Sequence, residues 1–299
     1  MRTLPAQLVR GFLMGAADIV PGVSGGTVAL VVGIYERLIT NVRAGAAVVG
    51  AVVRGRLAEV PARLREIEWL WIGALLVGIG AAILTLAHAI EVLLEEQPVR
   101  MAALFFGLIV GSVFLAWRLV SRRTTGRVLV AAGSAAAAFV VLGFRSGPVA
   151  DPGPGLFLAA GAVAICAMIL PGVSGSFLLL MLGMYDNVLG AVNDRDLVVL
   201  AAFGLGCVIG LAAFSTLLHW LLAHHHDTVM AALVGLMIGS LRVLWPWPDG
   251  TDTTAMGRPA DDVVVPVLLI GVGIVVVLGV VELAERSAGA ASARRLARR

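Results

Sequence analysis

The sequence predicts an all-α polytopic membrane protein with two inverted-topology repeats, each a re-entrant helix hairpin followed by three transmembrane helices. Of the 299 residues, 60% are hydrophobic and only 14% are charged, whereas soluble domains are nearer half apolar and a quarter charged. Several stretches of about 18 residues carry almost no charge, which is long enough to cross the hydrocarbon core. The pentapeptide PGVSG also occurs twice, at 21–25 and at 171–175.

The similarity between the two copies extends beyond the pentapeptide at a constant offset. The matched pairs are Gly11/Gly161, Gly33/Gly183, Tyr35/Tyr185 and Glu36/Asp186. In each copy an apolar run is broken at Pro-Gly, and a second apolar run follows. Farther along, residues 99–112 resemble residues 228–240. Internal repeats of this kind are common in transporter folds, so we divide the chain into repeats 1–150 and 151–299.

The first repeat begins with two apolar arms, at 8–20 and 26–40, that are each too short to cross a membrane easily. We therefore predict a broken hairpin over 8–43, followed by an arginine-rich linker or surface helix over 44–68. Three full spans are predicted after it, at 69–90, 101–117 and 128–144.

The second repeat follows the same plan after a Pro/Gly-rich turn. Its predicted elements are a hairpin over 156–192 and spans at 197–222, 229–245 and 263–281. A short loop with three histidines joins the first two of these spans. An acidic loop over 246–262 precedes the last span.

The arginines indicate how the hairpins enter the membrane. All 22 basic residues are arginine, and 17 of them lie in cytoplasmic segments if each hairpin leaves on the side it entered and both termini are cytoplasmic. This agrees with the positive-inside rule. Two short full spans per hairpin would satisfy the count equally, but the shortness of the arms favours re-entrance.

The odd number of spans between the hairpins inverts the second hairpin relative to the first. The two PGVSG breaks are then expected to meet near the bilayer midplane, about a pseudo-two-fold axis in the membrane plane. Non-helical backbone at that depth survives only where it is buried in protein or lines a wet cavity.

The residues of the two breaks have the chemistry of an anion site. Proline stops the helix, glycine allows a sharp turn and close approach, and serine can cap the next helix. The helix after each break points its free N–H groups, and a partial positive charge, at the break. The predicted substrate-binding residues are Pro21, Gly22, Val23, Ser24, Gly25, Gly26 and Thr27 in the first copy, and Pro171, Gly172, Val173, Ser174, Gly175 and Ser176 in the second.

Charged residues near the breaks are candidates for coupling and gating. Asp18 lies in an apolar run, where it acts either as a protonation or gating group or as a partner for the backbone at the break. Glu36 and Asp186 are matched acids that either gate the site or lie at the interface beside matched tyrosines. Arg242 either extends outward to the headgroups or reaches inward to hold a phosphate.

Several function classes find no support in the sequence. Motifs for a nucleophile with its base, for a catalytic metal or for a nucleotide are absent, so we predict no catalytic residues, no metal site and no cofactor. The histidines at 224–226 fit a solvated loop better than a metal tract. Nucleic-acid binding is excluded because the arginines collect at membrane edges rather than on a basic face with aromatics.

The two motif segments, AADIVPGVSGGTVALVVGIYERLI and MILPGVSGSFLLLMLGMYDNVL, resemble the PopT family of bacterial polyprenyl-phosphate transporters, long catalogued as a domain of unknown function. The resemblance covers nearly the whole membrane part. It implies a carrier that returns undecaprenyl phosphate from the outer to the cytoplasmic leaflet of the cell membrane, for reuse in cell-wall synthesis. The copies differ at Asp18/Met168, Gly26/Ser176 and Thr27/Phe177, so the site is expected to be asymmetric.

The expected function is therefore lipid-phosphate transport rather than catalysis. The expected partners are polyprenyl phosphate and the bilayer, and the oligomeric state stays open, a homo-oligomer included. One alternative is a carrier or channel for a small anion that uses the same paired helix ends. Weaker alternatives are a membrane lipid phosphatase and a scaffold that transports nothing.

Overall fold

The computed structural model describes residues 4–20, 23–144, 146–248, 256–259 and 263–296, with side chains as far as Gly279 and at Glu282. Within these residues the secondary structure is helical, apart from one isolated bridge between Pro248 and Met256. The chain is an all-α membrane protein. Its helices are α1 (Leu4–Asp18), α2 (Gly25–Val31), α3 (Tyr35–Val53), α4 (Val60–Glu66), α5 (Trp69–Glu96), α6 (Pro98–Arg118), α7 (Thr125–Val141), α8 (Pro154–Ile169), α9 (Gly175–Met181), α10 (Tyr185–Asn193), α11 (Leu197–Ser240) and α12 (Val264–Leu296).

The described helices have the length and apolarity of a multi-pass membrane protein. Helices α5, α6 and α11 are long and apolar enough to cross a bilayer, and the bent pair α9–α10 makes a fourth candidate if it counts as one span. Helices α7, α8 and the part of α12 up to Gly279 are apolar but shorter. Each span predicted from the sequence overlaps one of the helices α5, α6, α7, α11 and α12.

The first hairpin contains one more break than the sequence analysis expected. The predicted arm 26–40 is two helices, α2 and α3, because Gly33 adopts a left-handed backbone with φ of 68°. The N–H groups of Gly33 and Ile34 donate to the carbonyls of Leu30 and Ala29, which caps the C-terminus of α2. Helix α3 then continues to Val53, and α4 follows at Val60–Glu66, so much of the segment predicted as a linker or surface helix over 44–68 is helical.

The second hairpin repeats this pattern. Gly183 has φ of 67°, and the N–H groups of Gly183 and Met184 donate to the carbonyls of Leu180 and Leu179. Helices α9 and α10 meet there at a bend of 110°. Each hairpin is therefore a helix, a PGVSG break, a seven-residue helix, a glycine turn and a third helix.

The predicted histidine loop at 223–228 is a kink at His225 between two helical segments, rather than a longer loop. Helix α11 continues through it from Leu197 to Ser240, and only His225 leaves helical geometry, with φ of −134° and ψ of 37°. The predicted spans 197–222 and 229–245 are thus two arms of one kinked helix.

Glycines bring the long helices into direct backbone contact at matched positions in the two halves. A methyl group on Gly11 of α1 would overlap the Leu75 carbonyl of α5, and one on Gly161 of α8 would overlap the Phe203 carbonyl of α11. Two further close contacts connect the halves to each other, Gly107 of α6 with Ile270 of α12 and Gly235 of α11 with Ala131 of α7. Small residues permit such close approach between membrane helices.

Candidate functional site

The two PGVSG breaks lie against each other, joined by three hydrogen bonds. The Ser24 hydroxyl donates to the Met168 carbonyl over 3.1 Å, and the Tyr35 hydroxyl donates to the Ile169 carbonyl over 3.1 Å. The Gly172 N–H donates to the Thr27 hydroxyl oxygen over 2.8 Å, with both groups buried. The structure therefore brings together the described residues of the two segments in which the sequence predicted a shared site.

The first break is capped by its own side chains. The Gly25 N–H donates to a carboxylate oxygen of Asp18 over 2.6 Å, and the Gly26 N–H donates to the Ser24 hydroxyl oxygen over 3.1 Å. The capping role predicted for Ser24 is thus confirmed. Val23 is buried beside it. The predicted site residues Pro21 and Gly22 lie outside the described residues.

The Asp18 carboxylate binds at the N-terminus of α2, where the sequence analysis expected an external anion to bind. A methyl group on Gly25 would lie 2.6 Å from the Asp18 carboxylate, so glycine is needed for this contact. In the second copy a methyl group on Gly175 would lie 2.6 Å from Cγ of Met168. The matched positions Asp18 and Met168 therefore pack in the same way, but only Asp18 has an ionisable side chain.

The second break is held in place by glycine geometry. Pro171 has no N–H and is fully buried, and the Leu170 N–H turns back to the Ala167 carbonyl. Gly172 has φ of 85°, and a methyl group there would lie 2.8 Å from both Met237 Cα and Ser240 Oγ of α11. Backbone conformation and space therefore both require glycine at this position.

The hydroxyl groups of the second break are arranged differently from those of the first. Ser174 precedes α9 at the capping position, but its hydroxyl shares a hydrogen bond of 2.8 Å with that of Ser176 and caps no backbone N–H. The capping predicted for Ser174 is therefore wrong. Ser176 is exposed, whereas its counterpart Gly26 is buried. The second break thus has one buried serine, Ser174, bonded to one exposed serine, Ser176.

Of the two matched acids, only Glu36 has a partner. A carboxylate oxygen of Glu36 lies 2.9 Å from Nε2 of His226, and Nδ1 of His226 lies 3.3 Å from Asp227. Asp227 also accepts hydrogen bonds from the N–H groups of Ser121 and Arg122. Asp186 is exposed, and its side chain makes no hydrogen bond or ion pair in the described residues. The sequence analysis missed His226 because its partner lies in the other repeat.

Arg242 lies beyond the C-terminus of α11, beside α7. Its guanidinium stacks over the Phe139 ring at 4.7 Å, and Nη1 donates to the Phe139 carbonyl over 3.4 Å. Among the described residues Arg242 makes no hydrogen bond or ion pair with either PGVSG segment. Arg242 follows Ser240, which packs on Gly172, by only two positions.

The largest departure from the sequence analysis concerns Tyr35. One of the two alternatives left open by the sequence placed Tyr35 and Tyr185 at the membrane interface, but Tyr35 is buried, with 2% exposure, and its hydroxyl contacts the second break. Tyr185 is 39% exposed. A helix stopped by proline leaves carbonyls without partners, and that signal could have directed attention to nearby hydroxyl groups.

Comparison with known proteins supports the resemblance noted in the sequence. Residues 14–259 match the family described as "VCA0040-like: Undecaprenyl phosphate translocase-like". A protein of Vibrio cholerae named "Polyprenyl-phosphate transporter" is 42% identical over 242 residues, covering 81% of this chain and 77% of the relative. A protein of Staphylococcus aureus with the same name is 29% identical over 259 residues, covering 80% and 86%.

No solved structure matches the chain significantly. The family match spans both PGVSG segments and every described helix from the middle of α1 to the end of α11. The curated relatives are named as transporters. On these grounds the chain belongs to the undecaprenyl phosphate translocase-like family.

Proposed function

We propose that this chain carries a polyprenyl phosphate, specifically undecaprenyl phosphate, from the outer to the cytoplasmic leaflet of the bacterial cell membrane. The phosphate binds between the two PGVSG breaks, and the prenyl tail stays in the lipid. The observation that carries the proposal is the contact between the breaks through Ser24, Thr27 and Tyr35. It occurs in a chain whose relatives are named polyprenyl-phosphate transporters.

The chemistry of the breaks suits a phosphate monoester on a long apolar tail. Glycine backbones allow close approach, and serine hydroxyls and helix N-termini offer hydrogen-bond donors to the phosphate oxygens. In the first break the Gly25 N–H is already taken by Asp18. A phosphate that binds there must displace the Asp18 carboxylate. Protonation of Asp18 would weaken this internal contact and remove a repelling charge.

The proposed transport cycle follows from the predicted topology. Repeats 1–150 and 151–299 are inverted with respect to each other, and both termini are cytoplasmic. The phosphate site near the midplane is then exposed to one leaflet at a time by movement of one repeat against the other. Glu36 and Asp186 lie at matched positions on the two hairpins and act as gating groups.

The direct test is transport in proteoliposomes that contain the purified chain. We expect it to move undecaprenyl phosphate between leaflets and to leave the headgroup intact. The double variant Ser24→Ala/Ser174→Ala should lose most of this activity. Full activity of that variant would favour a role for the chain in which the breaks bind nothing.

Asp18→Asn tests the proton coupling. Wild-type transport should respond to a pH gradient across the vesicle, and the variant should transport at a rate that does not. Unchanged gradient dependence in the variant would remove Asp18 from the mechanism.

Competition distinguishes the lipid carrier from a small-anion carrier. Long-chain polyprenyl phosphates should block transport of a labelled lipid, and chloride at physiological concentration should not. Release of inorganic phosphate from the lipid by the purified chain would instead identify a phosphatase.

A further inference from the structure

The two tyrosines of the chain are Tyr35 and Tyr185, and they follow the two breaks at matched positions. Their surroundings differ, since Tyr35 is 2% exposed and Tyr185 is 39% exposed. The Tyr35 hydroxyl donates to the Ile169 carbonyl, whereas the Tyr185 hydroxyl has no hydrogen-bond partner in the part of the chain that the structure describes. Among the described residues, Tyr35 therefore makes a hydrogen bond between the two hairpins that Tyr185 does not make.

The Ile169 carbonyl needs a partner because the helix stops there. In a continuing helix it would accept from the Val173 N–H, but that group donates to the Leu170 carbonyl over 3.4 Å instead. A carbonyl left without a partner at membrane depth is costly. The Tyr35 hydroxyl removes this cost and so stabilises the conformation in which α8 ends at Ile169.

The neighbouring groups of the second break depend on the first hairpin in the same way. The Met168 carbonyl would accept from the Gly172 N–H in a continuing helix, but it accepts from Ser24. The Gly172 N–H donates to Thr27. Hydroxyl groups of the first hairpin therefore satisfy the backbone of the second break at three points, namely Met168, Ile169 and Gly172.

Among the residues of the two breaks that the structure describes, this support runs from the first hairpin to the second. The first break is satisfied by its own residues, through Asp18 and Ser24. In the described residues neither Ser174 nor Ser176 bonds to the first hairpin, because their hydroxyls bond to each other. Phe177, which replaces Thr27 in the second copy, has no hydroxyl to offer. The second break thus takes its shape from the first, while its own hydroxyls bond to each other and only Ser176 is exposed.

We propose that Tyr35 is a positioning residue, whose hydroxyl holds the second break in the conformation that receives the lipid phosphate. This rests on the proposed function, because it takes the second break to be part of the phosphate site. Tyr35 touches the Ile169 carbonyl rather than the substrate. It acts through the backbone between Ile169 and Ser174.

Tyr35→Phe, compared with Tyr185→Phe as the matched control, tests this role in proteoliposomes. Each change removes one hydroxyl and keeps the ring. Tyr35→Phe should raise the KM for undecaprenyl phosphate about fivefold, as the loss of one typical hydrogen bond would. The maximal rate per folded transporter should change less than about twofold on the same scale. Tyr185→Phe should change neither the KM nor the maximal rate by more than about twofold.

The outcomes separate positioning from a purely structural role. If Tyr35→Phe lowers the amount of folded protein but leaves KM unchanged, Tyr35 only stabilises the fold and the proposal is wrong. Equal rises in KM for both variants would also overturn it. A wild-type chain that transports no polyprenyl phosphate overturns the proposed function together with this inference, and that result is distinct from the other two.

A second measurement leaves Tyr35 itself in place, so it stands even if Tyr35→Phe does not fold. Incorporating 3-fluorotyrosine labels only two positions, and the Tyr185→Phe chain identifies the Tyr35 resonance in the ¹⁹F spectrum. Adding undecaprenyl phosphate should shift the Tyr35 resonance, and adding undecaprenol, which lacks the phosphate, should not. A Tyr35 resonance that stays in place at saturating undecaprenyl phosphate would overturn the proposal.

Discussion

The hydroxyl oxygen of Thr27 accepts a hydrogen bond of 2.8 Å from the backbone N–H of Gly172, in a buried contact between the two halves of the chain. Pro171 prevents the helix from continuing, so the Gly172 N–H has no helical partner. Thr27 therefore completes the hydrogen bonding of a break that lies 145 positions away along the chain.

Thr27→Val should destabilise the protein because valine fills the same space but offers no acceptor. The Gly172 N–H would be left buried and unpaired, at a cost of about 1–3 kcal/mol. Thr27→Ser keeps the hydroxyl and should lose much less. Thermal unfolding midpoints of the two variants in the same detergent provide the comparison. Equal midpoints for valine and serine would show that the hydrogen bond contributes nothing.

Gly78→Ala and Gly80→Ala form a matched pair on α5. A methyl group at position 78 would overlap the Leu8 carbonyl of α1, whereas one at position 80 meets nothing within 4 Å. We expect Gly78→Ala to cost about 1–3 kcal/mol through separation of the two helices. Gly80→Ala should be neutral or stabilising by up to about 1 kcal/mol, since alanine favours helix. Thermal unfolding of the two variants measures this difference, and similar midpoints would contradict the close packing of α1 on α5.

Glu36→Gln and Asp186→Asn test the asymmetry of the two hairpins. Glu36 pairs with His226 at 2.9 Å, and Asp186 has no partner in the described residues. Because the pair is exposed, its contribution should not exceed about 1 kcal/mol. A double-mutant cycle of Glu36→Gln with His226→Gln should show this coupling, and a cycle of Asp186→Asn with His226→Gln should show none. Coupling in the second cycle would contradict the asymmetric arrangement.

The stability of the protein in acid should depend in part on Glu68, at the start of α5. The hydrogen bond from Arg37 Nε, 2.8 Å long, is the main reason why the pKa of the Glu68 carboxyl is lowered. A lowered pKa means that this stabilisation is present above the unfolded value of about 4.3 and is lost as the pH falls through the folded value. The midpoint difference between wild type and Glu68→Gln should therefore be constant near pH 7 and shrink below pH ~4. A difference that grows in acid would contradict this sign.

The sequence predicted the existence of the elements better than their ends. The apolar runs indicated the spans, and the Pro-Gly pairs indicated where the helices of each hairpin are interrupted. Both signals can be read from neighbouring residues. Gly33 and Gly183 were identified only as matched positions of the two repeats. Their left-handed conformation, which divides each second arm into two helices, depends on capping hydrogen bonds that apolar periodicity does not reveal.

The pairing of side chains could not be predicted in the same way. Ser24 was correctly assigned as a cap, since capping involves residues two or three positions apart. Ser174 lies in the same pentapeptide, but its hydroxyl bonds to that of Ser176. The first copy has Gly26 at the position of Ser176, so Ser24 has no such neighbour. Tyr35 and Tyr185 likewise have similar neighbours along the chain, and only the packing of one hairpin distinguishes them.

The sequence by itself determined the membrane class, the two broken hairpins and the family, since hydropathy, proline breaks and a repeated motif can be read from the order of residues alone. Only the tertiary structure decided that Ser24, Thr27 and Tyr35 form hydrogen bonds with the backbone of the second break. It also decided that the Asp18 carboxylate accepts a hydrogen bond from the backbone of the first break. The physical reason is that each unsatisfied backbone group at a helix break takes the nearest available partner. Which partner is nearest depends on how the two halves pack.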